Sequence, residues 1–350
     1  MTYAKKHGLA VILFSTLVIT VLAARQTSAN TYIQRWPVAV LSVDWSPDGT
    51  KIVTGDTQGL VKIIDADTFE VLNTIQVLEH DWLPNVYAIR WSPDGAYLAA
   101  GVSTANSFVG FIQIVDVASG QIVTSIRSGS SVTSVAWSPN GSLLAAGGDD
   151  DFVWEGWLKI WDTTNYQLVA DLKHGQSADA VTGVSWSPDG TGLASAAFDE
   201  AGYDNTVILW NTTTWEPRLT LEHSDWLSTV AWSPDGSKVI AAGRELACRM
   251  WDAQTGEPLT ELLLETSERL VGARFIAWRP QSTQVMGMGS DFFFLWDTAT
   301  GQVLKRWNLD ITSNDFAWCP DYDCLIYGVS DIDGTGNQVR RLSLFAPAAE

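Results

Sequence analysis

The sequence predicts an all-β chain folded as a seven-bladed β-propeller. Each blade is a four-stranded antiparallel sheet, and a strand from the N-terminus closes the ring. Three observations carry that expectation: a tryptophan-centred segment that recurs seven times, a hairpin signature after each copy, and a last repeat one strand short.

The segment Trp-Ser-Pro-Asp-Gly begins at Trp45, Trp91, Trp186 and Trp232, with Asn140 replacing the Asp in the copy at Trp137. Weaker copies start at Trp278 (Trp-Arg-Pro) and Trp318 (Trp-Cys-Pro). Successive tryptophans lie 46, 46, 49, 46, 46 and 40 residues apart, close to the period of about 40–45 residues for a propeller blade. Two residues before each Trp stands an apolar residue (Val43, Ile89, Val135, Val184, Val230, Ile276, Phe316), so both share one face of a strand. Proline two residues after each Trp pre-sets φ for a tight turn, Asp or Asn favours the next position, and Gly supplies the positive φ that closes it. The chain is apolar again seven residues after each Trp, from Ile52 to Leu325, which returns a second strand to the same core.

A third strand ends at Ile64-Asp65, Val115-Asp116, Trp161-Asp162, Trp210-Asn211, Trp251-Asp252 and Trp296-Asp297. A fourth follows a short turn, as at Val71-Leu72, Ile122-Val123, Leu168-Val169 and Val303-Leu304. With the Trp-Asp dipeptides at 161–162, 251–252 and 296–297 in seven registered repeats, residues 31 to 346 resemble the WD-repeat family. The tryptophan-rich first strand is more similar to its prokaryotic members. Departures are the loss of the Gly before His80, His174 and His223, and the degeneracy of repeats six and seven. The seventh repeat ends at Phe345 without a fourth strand. Ile33-Gln34-Arg35-Trp36 resembles the sixth repeat's fourth strand, Leu304-Lys305-Arg306-Trp307, and is expected to complete the last blade.

Residues 1–29 read as a signal peptide or an N-terminal membrane anchor, and 30–350 as the propeller. Lys5 and Lys6 precede an apolar run from Leu9 to Ala24, with small residues at Ala23, Ala24, Ser28 and Ala29 for cleavage. Either reading places the propeller outside the cytoplasm, in the periplasm, the extracellular space or on the outer face of the membrane. Membrane association is expected only if the segment stays uncleaved. The formal charge is −19, which opposes the phosphate neutralisation that nucleic-acid binding needs and leaves basic partners open. Cys319 and Cys324 flank the seventh hairpin, at the places of Ser46 and Lys51 in the first, and are expected to form a disulfide. Cys248 falls at an apolar strand position and reads as a buried small hydrophobe.

His174, Ser195 and Asp204 could be mistaken for a nucleophilic triad. The family resemblance instead implies a structural hydrogen-bond tetrad of His174, Ser195, Asp204 and Trp210, and no nucleophile elbow surrounds Ser195. Residues 331–337 (Asp-Ile-Asp-Gly-Thr-Gly-Asn) resemble part of a calcium loop but lack its closing Glu. No zinc spacing or phosphate loop is present, so no cofactor and no metal is expected.

Loops between second and third strands are longer in repeats two, three, four and seven, and share a rim with the loops entering each first strand. That rim gathers Trp82, Trp154, Tyr203 and Trp226, with Phe108, Phe152 and Phe198, beside the acids Asp149, Asp150, Asp151, Asp199 and Glu200. Aromatics beside acids suit a basic protein or peptide segment. The function read from sequence is therefore an exported, non-catalytic interaction module presenting a rigid rim. The alternative is a propeller enzyme or a carbohydrate- or cation-binding protein using the central channel, whose lining positions read as mostly small or apolar.

Overall fold

The computed structural model describes the backbone of 30–35 and the whole of 38–78, 84–104, 109–150, 155–174, 178–199, 205–244, 247–263, 272–289, 291–309, 312–330 and 338–344. The expected export segment, 1–29, lies outside these residues, as do His80, Trp82, Phe108, Asp151, Phe152, Trp154, Glu200, Tyr203, Asp204 and the loop 331–337.

Seven antiparallel four-stranded sheets form the ring, six of them with their strands in sequence order from the axis outward. Blade 1 is typical: Val40–Trp45, Lys51–Asp56, Leu60–Asp65 and Val71–Gln76. The first strands of successive blades neighbour one another around the axis, and Thr312–Trp318 of blade 7 meets Val40–Trp45 of blade 1. Blade 7 is completed by Asn30–Arg35, which pairs antiparallel with Gln338–Ser343 (Asn30 opposite Leu342, Arg35 opposite Gln338). The ring closes as the sequence predicts, leaving no blade with a missing strand.

Between blades lies a continuous core. Alternate residues of each second and third strand face the preceding or the following blade, so Val53, Val61 and Ile63 of blade 1 cluster with Val86, Ile89 and Leu98 of blade 2. The recurrent tryptophans seal this layer at the end of the first strands. Trp137 Nε1 donates to the Arg90 carbonyl (3.2 Å) and Trp186 Nε1 to the Ala136 carbonyl (3.0 Å), each reaching back one blade.

The Pro-Asp-Gly turns owe their uniformity to a small network. Ser46 Oγ donates to Asp48 Oδ1 (2.6 Å) and accepts the Lys51 N–H (2.9 Å), and the same pair of bonds recurs at Ser92, Ser138, Ser187 and Ser233. Those hydrogen bonds, led by the serine hydroxyl, pull the Asp48 and Asp235 carboxyls down to about 2. Gly49 closes the first such turn at φ 72°. Blade 7 departs: Cys319 replaces the serine, Tyr322 takes the glycine's place at φ 59°, and the Cys319–Cys324 disulfide (Cα–Cα 5.4 Å) joins the two strands. A covalent bond thus stands where the turns of blades 1 to 5 use a hydroxyl.

Repeat six, degenerate in sequence, forms a complete blade ending in Val303–Asn308. The weak outer strand is in blade 5 instead. Pro258 enters as an isolated bridge to Trp251, has no N–H to donate, and regular pairing survives only at Leu262–Leu263.

Candidate functional site: the long-loop rim and the central channel

Of the rim residues singled out in the sequence, the structure describes Asp149, Asp150, Asp199 and Trp226. Asp149 and Asp150 end the second strand of blade 3, opposite Gly156 and Glu155. The Asp149 carbonyl accepts from Ser130 N (3.0 Å), Ser131 N (3.2 Å) and Trp157 Nε1 (2.9 Å), so the backbone is fixed while the side chain stands at the rim. Trp226 stacks on Phe198 from the neighbouring blade, with centroids 5.0 Å apart at 24°, and the Arg244 guanidinium lies over its ring at 4.4 Å. One expected rim aromatic is therefore half-buried in a cross-blade stack.

Asp199, one of the acids that the sequence reading gathers at the rim, is buried, at 3% exposure. Its N–H donates to Asn205 Oδ1 (3.3 Å) across the neck of the loop, which folds this segment inward.

The His174 group behaves as a staple. Ser195 Oγ accepts from Trp210 Nε1 (2.8 Å) and meets His174 Nδ1 at 2.8 Å, while His174 Nε2 lies 3.2 Å from the Thr206 carbonyl and 3.1 Å from its hydroxyl. An indole can only donate and a carbonyl can only accept. The Ser195 proton therefore points to Nδ1, and the imidazole carries its own proton on Nε2, facing Thr206. Ser195 is fully buried, so its hydroxyl has no route to a substrate. The segment before blade 4 is tied in this way to that blade's second and third strands.

The central channel opens among the first strands as a cavity of about 410 Å³. Sequence reading made its lining mostly small or apolar, and the position one residue before the tryptophan agrees in blades 3 to 7, with Ala136, Ser185, Ala231, Ala277 and Ala317. The exceptions are Asp44 and Arg90 at that position in blades 1 and 2, joined by Asp315 three residues before the tryptophan of blade 7. Arg90 Nη1 lies 3.3 Å from Asp315 Oδ2. Asp315 also accepts from Val43 N (3.1 Å) and Phe316 N (2.8 Å), and Asp44 from Trp91 N (2.9 Å) and Trp45 N (3.0 Å). Burial pushes the Asp44 carboxyl up to about 6 against the opposing pull of Arg90 and the two N–H groups. Asp315 is likewise raised, chiefly by burial. Burial alone would lower Arg90, but the carboxylates of Asp315 and Asp44 outweigh it and hold the guanidinium charged.

Tyr87 is another residue that sequence reasoning missed. It is the bulged residue in the inner strand of blade 2, between Val86 and Ala88, and lines the channel. A bulge re-aims a side chain out of the alternating pattern. Its phenol is raised by burial and by the nearby Asp149 carboxylate, which links the channel mouth to the acidic rim. The available signal was the blade-to-blade variation at otherwise registered positions. Among the described residues, Cys319, Asp321 and Cys324 are the one His/Cys/Asp/Glu group tight enough for a metal, and there the two sulfurs are bonded to each other. Cys248 is free and buried, its thiol pushed up to about 12 by burial.

Comparison with known proteins fits this geometry. The family model for the WD domain, G-beta repeat, matches residues 31–65 and 215–252. A model for eukaryotic translation initiation factor eIF2A matches 84–215. A WD repeat-containing protein WDS homolog of Arabidopsis thaliana is 30% identical over 122 residues, covering 33% of this chain and 23% of the relative. The match thus spans about a quarter of that relative's length. Seven closed blades, the Trp-Asp repeats in register and these similarities together support a WD-repeat β-propeller.

Proposed function

We propose that this propeller is an exported, non-catalytic interaction module that takes a protein or peptide partner on the long-loop rim and the adjoining channel mouth. The observation that carries the reading is how the polar groups are used. Asp44, Asp315 and Arg90 spend their charge on one another and on the backbone N–H groups of neighbouring blades, and Ser195 is buried between His174 and Trp210. Tyr87, Asp149 and Asp150 meanwhile stand at the mouth on rigid strands, the usual placing of recognition residues. The net charge favours a basic segment in the partner and disfavours nucleic acid, including any role inferred from the translation-factor similarity. Use of the channel for a carbohydrate, a cation or a substrate is the alternative, and its 410 Å³ is the feature in favour.

The test immobilises the mature domain and challenges it with the exported fraction of its own cells. A Tyr87→Ala, Asp149→Asn, Asp150→Asn variant should lose the captured partner at an unchanged melting temperature. Undiminished capture would move the site off this rim. Mass spectrometry of exported material should find an N-terminus between Ala24 and Thr31; recovery solely of the intact Met1 form in membranes would favour the anchor.

A further inference from the structure

Between adjacent blades, on the face opposite the long loops, the Pro-Asp-Gly turn of one blade and the last turn of the next enclose a cleft. At blades 4 and 5 one wall of this cleft, about 390 Å³, carries an arginine of the chain's own. Arg218, from the outer strand of blade 4, donates through Nη2 to the Ala253 carbonyl (2.6 Å) and lies beside Trp232, Asp189 and Asp235. At blades 2 and 3 the equivalent cleft, about 360 Å³, lies between Asp94, Trp137 and Asn140, and the register position of Arg218 is Val123, which is 49% exposed. Two further substitutions change its walls: Tyr97 stands where blade 4 has Gly192, and Tyr166 where blade 5 has Gly256.

Tyr166 holds its place at φ 56°, in the left-handed region that costs a bulky residue on the order of 1 kcal/mol and that glycine occupies freely at 120, 256 and 301. Two of the part-exposed rings elsewhere carry a cation of the chain's own, Arg244 over Trp226 and Lys305 over Trp307. Among the described residues Tyr97, Trp137 and Tyr166 have no such partner, and Asp94 is the one charged group of the lining.

We propose that the blade 2–3 cleft is a docking site for an arginine side chain on an exposed segment of a protein partner. The guanidinium takes the place that Arg218 occupies at blades 4 and 5. The carbonyl of Thr163, in register with that of Ala253, accepts its N–H, the rings of Tyr166 and Trp137 face its plane, and Asp94 supplies the opposite charge. This site lies on the other face from the long-loop rim, so its failure leaves that rim's reading intact.

The probe is a heptapeptide, acetyl-Gly-Ser-Gly-Arg-Gly-Ser-Gly-amide, titrated into the whole exported domain while the Trp137 indole N–H is followed by NMR. The arginine peptide should shift that signal saturably, and replacing its arginine by citrulline should weaken binding about tenfold, the loss of one charge-assisted hydrogen bond. Val123→Arg, which supplies an internal occupant as in blade 4, should abolish the shift. Tyr166→Gly should weaken binding, whereas Phe69→Gly, which removes a core-packed aromatic at the equivalent turn of blade 1, should leave it unchanged. No shift with the arginine peptide, equal binding of the citrulline peptide, or undiminished binding to Val123→Arg would each overturn the proposal.

Discussion

Two arcs of the ring join their blades at the same register positions with different chemistry. On the far arc, Ser134 Oγ accepts the Val184 N–H (3.2 Å) and Ser185 Oγ the Trp232 N–H (3.2 Å), each a neutral hydroxyl capping the next blade's first strand. At the seam, Asp315 accepts the Val43 N–H and Asp44 the Trp91 N–H, from the corresponding places three residues and one residue before the tryptophan. First strands of neighbouring blades share no sheet ladder, so these side-chain caps are how buried backbone donors are satisfied there. Carboxylates make stronger caps than hydroxyls, but two of them side by side need a counter-charge, and Arg90 supplies it. The seam flanks blade 7, the one blade whose four strands are not contiguous in sequence, so the charged caps sit beside the blade that is closed by strand pairing alone.

Breaking the seam at its largest scale means deleting Asn30–Arg35. The last blade would lose its outer strand, and melting should fall by about 10 °C or more, or no folded protein should form, read by calorimetry. Arg90→Leu should cost about 2–3 kcal/mol by denaturant unfolding, because it strands the buried Asp315 and part-buried Asp44 carboxylates, less than a fully buried pair since the Arg90 side chain is 36% exposed. Reducing Cys319–Cys324, or replacing both by Ser, should cost about 2 kcal/mol, the entropy of a short loop partly recovered by the serine network of the other turns.

The seam should also have its own pH signature. Asp44 binds its proton more tightly folded (about 6) than at its ordinary value of 3.8, so its contribution is full below about pH 4 and is lost as pH rises through 6. Wild type should lose on the order of 1–2 kcal/mol relative to Asp44→Asn across that interval, after discounting for channel water. The turn aspartates, held low, act in a separate and more acidic window, losing their contribution as pH falls from about 4 towards 2. Ser185→Ala, on the far arc, should cost about 1 kcal/mol and show no pH dependence.

The same contrast explains what the sequence could reveal. Blade count, strand order and closure were legible because a repeated unit states its turn and core positions seven times, and Ile33–Trp36 copies a neighbour's strand. The Asp44–Arg90–Asp315 cluster was not legible. It assembles residues up to 271 positions apart at sites where any single repeat looks ordinary, and only the closed ring shows which variable positions face one another. Bulges hid Tyr87 similarly, since one inserted residue reverses which side chains turn inward. The burial of Asp199 was not legible either, because composition marks a segment as acidic without saying which carboxylate the fold encloses.

The most direct test of the account is the stability of Asp44→Asn/Arg90→Leu/Asp315→Asn measured beside Arg90→Leu. If the three charges are a closure device, Arg90→Leu loses about 2–3 kcal/mol and the neutral triple variant recovers at least half of it, because no unpaired buried charge remains. If instead Arg90→Leu is as stable as the native protein or more so, the cluster is maintained at a cost to the fold, as binding and catalytic groups are, and the channel rather than the rim is the working site.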